Sequence, residues 1–291
     1  MITAKIVEAS VNSSGNRITS WVLTYPRFIH SELMTHRMFS RNAASSRAIP
    51  IKKMLDWVIN NPAMPEHWGA NQKGMQADVE LSAEEIAACK VEWLKARDNA
   101  VETVRRLSDL NLHKQVANRL LEPWPLMTVL LTATEYGNFF ALRAHPDAQP
   151  EFRMLAYQML PLYQASVPKL LQPGEWHLPF NESMPGGLDL STKLKIVVAR
   201  AARVSYVNFE GKIDPNEDIA LHDRLLQSGH MSPFEHVAYA APGVPQIGNF
   251  KGWVQYRKMI HTENRDDPRI PRVHPPPLPS AKGELIAGII P

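Results

Sequence analysis

Met34-Thr35-His36-Arg37-Met38-Phe39-Ser40-Arg41-Asn42-Ala43-Ala44-Ser45-Ser46-Arg47-Ala48 concentrates arginine, histidine, asparagine and serine in one short run, directly after a segment patterned as a helix. Arginine forks grip phosphate oxygens in pairs, and serine hydroxyls with turn N–H groups complete such a cradle. By itself the run favours a solvated basic loop, the usual fate of a charge cluster. Its neighbours along the chain decide between the two readings.

Upstream, residues 2–8 and 17–25 are β-branched and apolar and flank Asn12-Ser13-Ser14-Gly15-Asn16, which predicts a hairpin. Pro26 suits the first turn of a helix over 27–39 that carries His30, Glu32, His36 and Arg37, with Ile29, Leu33 and His36 near one face. Downstream, a second helix covers 51–59 and a long surface loop covers 60–80. Ser82 with Glu85 forms a capping-box signature for a helix over 83–107. A helix over 114–121, stopped by Pro123, presents Arg119. The short apolar run 128–134 reads as a strand, with a helix as the alternative.

A second polar-rich stretch spans 135–151. Asp147 is placed to cap a helix over 148–171, which Pro173-Gly174 ends. The Pro/Gly-bearing connection 172–191 divides the chain into segments 1–171 and 172–266, packed into one domain, with a proline-rich arm over 267–291. The later segment reads as helices over 193–206 and 216–228, a third polar-rich stretch over 230–236, a strand over 237–241 and a helix over 250–260. The pattern predicts an α+β fold, an antiparallel sheet flanked by helices.

Composition narrows the function. A formal charge of +3 over 291 residues is too mild for a nucleic-acid binder and suits a small phosphorylated ligand. With no basic-then-apolar leader and no apolar run long enough to cross a bilayer, the chain reads as cytoplasmic and without membrane contact. The single cysteine, Cys89, lies on a helix whose apolar face includes Trp93, Ala96, Ala100, Val104 and Leu107, so it reads as a core residue and not a nucleophile. Neither Gly-x-Gly-x-x-Gly nor a P-loop occurs, and the histidine spacing fits no zinc site.

Together, the three polar-rich stretches resemble the flavin-dependent thymidylate synthases. The family's Arg-His-Arg triplet and following serine- and arginine-bearing segment are matched by Thr35-His36-Arg37 with Ser40, Asn42, Ser45 and Arg47. Its later signature is matched by Asn138-Phe139, Leu142-Arg143 and Ala148-Gln149-Pro150-Glu151. Its early signature is matched by Ala201-Ala202-Arg203-Val204-Ser205-Tyr206 and by Gly229-His230-Met231-Ser232-Pro233-Phe234-Glu235-His236. Because that early signature comes last here, the chain resembles a circularly permuted member. Gly252-Trp253-Val254-Gln255-Tyr256-Arg257 further resembles a decayed second copy of the triplet helix, which predicts duplication followed by loss at both ends.

The resemblance implies an enzyme that methylates dUMP to dTMP at C5, with methylenetetrahydrofolate as carbon donor, FAD as redox carrier and NADPH as reductant, in a homotetramer with shared sites. Carried over position by position, Ser45, Arg47, Arg119, Arg143 and Glu32 bind the nucleotide, with Arg143 also the catalytic candidate. His36, Arg37, Asn138, Ser205, His230, Ser232 and Glu235 contact FAD. Thr35, Glu32 and Ala43 stand where the family has arginine, glutamine and glutamate, all at the pyrimidine nucleotide. A site built to bond one base edge rejects analogues strongly. Methylation or hydroxymethylation of another pyrimidine deoxynucleotide therefore stands as the second reading, and a non-catalytic nucleotide- or flavin-binding protein as the third.

Overall fold

The turn at Asn12-Ser13-Ser14-Gly15-Asn16 is held from within: Asn12 Oδ1 accepts the N–H groups of Ser14 and Asn16, and Gly15 takes a φ of 77°. On either side, β1 (Thr3–Asn12) and β2 (Arg17–Pro26) pair antiparallel. The computed structural model describes residues 1–206 and 214–260, and this hairpin lies at the heart of its five-stranded sheet. β2 pairs antiparallel with β4 (Leu126–Ala133), which pairs antiparallel with the short β3 (Ser40–Ala43). On the other side, β5 (Lys169–Leu171) runs parallel to β1, giving the order β3-β4-β2-β1-β5.

The helices are α1 (His30–Leu33), α2 (Ile51–Asn60), α3 (Ala83–Asp109), α4 (Lys114–Ala117), α5 (Gly137–Arg143), α6 (Pro150–Ala165), α7 (Leu190–Tyr206) and α8 (Pro215–Ser228). Strand alternation assigns each sheet face its own layer. Trp21, Leu23 and Tyr25 pack with Phe139, Phe152, Leu155 and Met159 of α5 and α6. On the opposite face, Leu130 and Val22 meet Ala201 and Val204 of α7. A side cluster of Met54, Val58, Val101, Val104 and Leu121 joins α2, α3 and the turn after α4. A smaller sheet, β6 (Trp176–His177), β7 (Ala238–Ala240) and β8 (Trp253–Gln255), docks on the hairpin through Ile18, Phe250 and Trp253. The α+β class is as expected, and the hairpin, the capping box of α3 and the αL stop of α8 at Gly229 are all present.

Several boundaries differ, for physical reasons. The helix expected over 27–39 shrinks to a 3-10 turn at Arg27–Ile29 followed by α1. Arg41 Nη1 donates to the carbonyls of Leu33, Met34 and His36, tying off that helix end, and the following residues pair with β4 as β3. The helix expected over 148–171 starts at Pro150 and is capped by Gln149, whose side chain accepts from the Phe152 N–H; Asp147 faces His145 instead. It ends at Ala165 because Pro168 disfavours helical backbone just before it, which frees 169–171 for β5.

The helix expected over 250–260 is β8 followed by a 3-10 turn at Tyr256–Met259. Gly252, at a φ of 73°, breaks the helical path just before β8. Residues 29–39 and 250–260 thus follow strands of different sheets. The connection 172–191 contains β6 and a 3-10 turn at Asn181–Ser183. Cys89 is half-buried and Ala96 exposed, so the first half of α3 is less embedded than its apolar stripe predicted. The arm over 267–291 lies outside the described residues.

Candidate functional site

The predicted residues gather in three clusters. In the first, Arg143 in the last turn of α5 donates from Nε to His36 Nε2 at 3.0 Å, and its Nη1 lies 3.6 Å from Glu32 Oε2. Its guanidinium sits 4.7 Å from the Phe152 ring centroid. An arginine N–H can only donate, so His36 Nε2 accepts and the imidazole is neutral. Its pKa is lowered to about 4, first by burial and then by the charges of Arg143 and Arg41. The ring is wedged among Phe39, Phe139 and Phe152, with centroids 5.7, 5.2 and 5.8 Å away. Expected to serve different ligands, Glu32, His36 and Arg143 form one hydrogen-bonded and ion-paired unit.

The second cluster turns on a residue that motif reading missed. Glu122 Oε1 accepts from Ser46 Oγ at 2.6 Å and Arg119 Nη1 at 2.8 Å, and lies 3.0 Å from Arg27 Nη2. Buried Asn118 donates from Nδ2 to the carbonyls of Ser46 and Ile49 at 2.8 and 2.9 Å. These bonds bring Arg119 beside the loop that bears Ser45 and Arg47, both exposed, where the Arg47 N–H reaches Ser45 Oγ at 3.4 Å. The loop presents free hydroxyl and guanidinium groups to solvent, a geometry suited to an anion. The one available signal was Glu122 standing three residues after Arg119.

The third cluster fastens the late block onto the strand after the opening stretch. Ser232 Oγ donates to Asn42 Oδ1 at 3.1 Å, and Asn42 Nδ2 donates to the Ala201 carbonyl at 2.7 Å. Gln255 Nε2 joins Ser40 Oγ and the Glu235 carbonyl at 2.9 and 3.1 Å. Glu235 is ion-paired to Arg257, and its charge acts on Arg41. Arg37, Asn138 and His230 are exposed. Neither Arg37 nor Asn138 has a side-chain hydrogen bond or ion pair among the described residues. Ser205 lies in α7, but its side chain is outside the described residues.

Beneath this face runs a buried polar chain that spacing did not reveal. Ser10 Oγ meets His177 Nδ1 at 2.9 Å, His177 Nε2 meets Ser20 Oγ at 2.9 Å, Ser20 meets Thr132 at 2.6 Å, and Thr132 meets His236 Nδ1 at 2.8 Å. Burial lowers both histidine pKa values to about 3, so both are neutral; His177 bridges Ser10 and Ser20, whereas His236 bonds through Nδ1 alone and its buried Nε2 has no hydrogen-bond partner among the described residues. They pin β6 and the end of the third block to the main sheet.

With this geometry in place, comparison with known proteins identifies the class. The family model for thymidylate synthase complementing proteins matches residues 17–169, more than half of the 291-residue chain. The chain belongs to that family, the flavin-dependent thymidylate synthases, and is a methyltransferase-like enzyme of the nucleotide type. The match contains Glu32, His36, Arg37, Ser45, Arg47, Arg119, Asn138 and Arg143; Ser205 and the third block lie beyond it. No curated protein matches. Among solved structures, a UMP/dUMP methylase, PolB from Streptomyces cacaoi, aligns at a TM-score of 0.46 and 18% identity, bound with 5-Br dUMP or with 5-Br UMP. The alignments cover 56% of this chain and 90% and 88% of those chains. Among the described residues no helix is long and apolar enough to cross a membrane.

Proposed function

We propose that this protein is a circularly permuted member of its family that methylates a pyrimidine deoxynucleotide at C5, converting dUMP to dTMP. The carrying observation is the family match over 17–169, which holds the first two clusters. In this reading Ser45, Arg47 and Arg119 bind the nucleotide phosphate on the loop that Glu122 and Asn118 shape. Arg143, oriented by His36, is the cation that reaches the nucleotide.

The carbon comes from methylenetetrahydrofolate and the electrons from NADPH. When bound, FAD supplies the two-electron reduction that turns a transferred methylene into a methyl group. Exposed Arg37 and Asn138 suit a phosphate-bearing cofactor in charge and in donors, while Ser232, whose hydroxyl donates to Asn42 Oδ1, belongs to the proposed cofactor face by family correspondence. His230 and Glu235 belong to the same proposed cofactor face, with Ser205 carried by family correspondence alone. As in the family, the working unit would be a homotetramer.

A second reading has a specific observation behind it. Glu32 stands 3.6 Å from Arg143 and partly neutralises it, where the family has an uncharged glutamine. That change favours a different pyrimidine deoxynucleotide, or delivery of hydroxymethyl in place of methyl. Reconstitution with FAD, followed by NADPH-driven bleaching of the flavin band and incubation with methylenetetrahydrofolate and either dUMP or dCMP, tests both, with the product read by mass. Bleaching and product formation with dUMP support the first reading, and product from dCMP alone supports the second. A protein that takes up no flavin and converts neither nucleotide rejects both.

A further inference from the structure

The opening stretch carries three arginines, and the family resemblance gives a role to Arg37 and Arg47 alone. The third, Arg41, is half-buried in β3 and has no ion pair among the described residues. It spends Nη1 on a single turn, donating to the carbonyls of Leu33 and His36 at 3.1 Å each and of Met34 at 3.3 Å. α1 has only four residues, so capping so short a helix does not by itself account for a cation drawn from water. What the turn carries does account for it.

Glu32 and His36 stand at the two ends of the turn, and both meet Arg143 of α5. The turn has bonds of its own: the Thr35 N–H and Oγ1 both reach the Glu32 carbonyl, and the His36 N–H reaches that of Leu33. These set its local shape but not its place relative to α5. Arg41 sets that place, because β3 pairs with β4 at Arg41 and Leu131, and β4 leads into α5. Burial disfavours the Arg41 cation, Tyr25 and Glu235 of the third block favour it, and Arg37 opposes it. We propose that Arg41 is a positioning residue, which holds the turn bearing Glu32 and His36 where His36 Nε2 receives the Arg143 Nε hydrogen, and so aims the Arg143 guanidinium. That Arg143 then meets a nucleotide rests on the proposed function; the orientation of His36 does not.

The test reads the His36 ring in the full chain, by nuclear magnetic resonance of isotopically labelled histidine at neutral pH, with His36→Gln identifying the signal. A neutral ring whose Nε2 accepts carries its proton on Nδ1. The unaltered protein is expected to show that tautomer alone, and Arg41→Met to show a mixture of both. Arg37→Met, at an exposed arginine nearby, leaves the single form. Arg41→Lys, whose ammonium is no rigid fork, gives a smaller share of the second tautomer, and it decides alone should Arg41→Met not fold. A cap with no positioning role would lower the urea midpoint and leave the tautomer of the folded protein unchanged. That result overturns the proposal, as does an unaltered protein protonated on Nε2. With a nucleotide that is turned over, Arg41→Met is expected to lower kcat/KM by about tenfold and to add no further loss to Arg143→Lys, since it acts through Arg143. Additive losses contradict the proposal. A protein that turns over no nucleotide removes the proposed function, while the tautomer still decides the role of Arg41.

Discussion

Arg143 holds His36 through a single N–H, Glu32 through charge and Phe152 through its guanidinium face, so its planar fork matters as much as its charge. Arg143→Lys keeps the charge but cannot reproduce the Nε bond. We expect it to lower turnover by about a hundredfold or more while changing the unfolding midpoint little, as steady-state kinetics beside a urea titration will show. Glu32→Gln restores the family's residue and removes the neutralising carboxylate. It is expected to shift the kcat/KM ratio of dUMP to dCMP towards dUMP, and an unchanged ratio would remove Glu32 from nucleotide selection. Ser45, Arg47 and Arg143 could be singled out as candidates from sequence because they stand in stretches that resemble the family's signatures, whereas sequence places Arg119 only near the end of a helix. Glu122 could not be singled out, because its meaning lies in three partners that only the fold brings to one oxygen atom.

At the level of elements, the small sheet is clamped to the turn of the β1–β2 hairpin. Asn12 Nδ2 donates to the Gly252 carbonyl at 2.8 Å, and Trp253 Nε1 donates to the Asn16 carbonyl at 3.1 Å. A Cβ on Gly252 would overlap Asn16 Oδ1 and stand 2.7 Å from Asn12 Nδ2, at a φ of 73° that favours glycine. Gly252→Ala is therefore expected to cost about 2 kcal/mol or more in a denaturant titration. A neutral result would mean that this clamp is not what joins the two sheets.

The hairpin and α3 were legible in sequence because their determinants are local: Asn12 to Asn16 in one case, Ser82 and Glu85 in the other. β3 was not, because its strand character comes from pairing with distant β4 and from Arg41 closing the preceding helix end. Residues 250–260 were misread for the same reason. Their apolar pattern suited a helix, but Gly252 and pairing with β7 make them a strand and a 3-10 turn.

Across the molecule, buried histidines set how stability depends on pH. His30 and His36 are lowered to about 4, and His177 and His236 to about 3, from an ordinary 6.5, with burial the leading cause in each. The unfolded chain therefore takes up protons that the folded chain refuses. The stabilisation is complete above pH 6.5 and is lost as the pH falls towards 3. Glu8 opposes this: burial raises its pKa to about 7 from 4.5, so its share is lost as the pH rises through that interval. With these four histidines and His222, which burial also lowers, against one carboxylate, the urea midpoint is expected to rise from about pH 4.5 to about pH 6.5. Glu8→Gln should steepen that rise. A flat profile would show that the Ser10–His177–Ser20–Thr132–His236 chain is open to solvent.

The central claim is that this sheet, with its loop at Ser45 and Arg47 and its Arg143–His36 unit, places one carbon on C5 of a pyrimidine deoxynucleotide. The measurement that tests it most directly uses FAD-reconstituted protein, NADPH, dUMP and methylenetetrahydrofolate labelled isotopically in the methylene carbon, with the product nucleotide read by mass. The predicted product is heavier than dUMP by one labelled CH2 unit and is absent when Arg143→Ala protein is used. Unlabelled, unchanged dUMP from protein that has bound its flavin would contradict dUMP methylation, and the same outcome with every pyrimidine deoxynucleotide would contradict the claim as a whole.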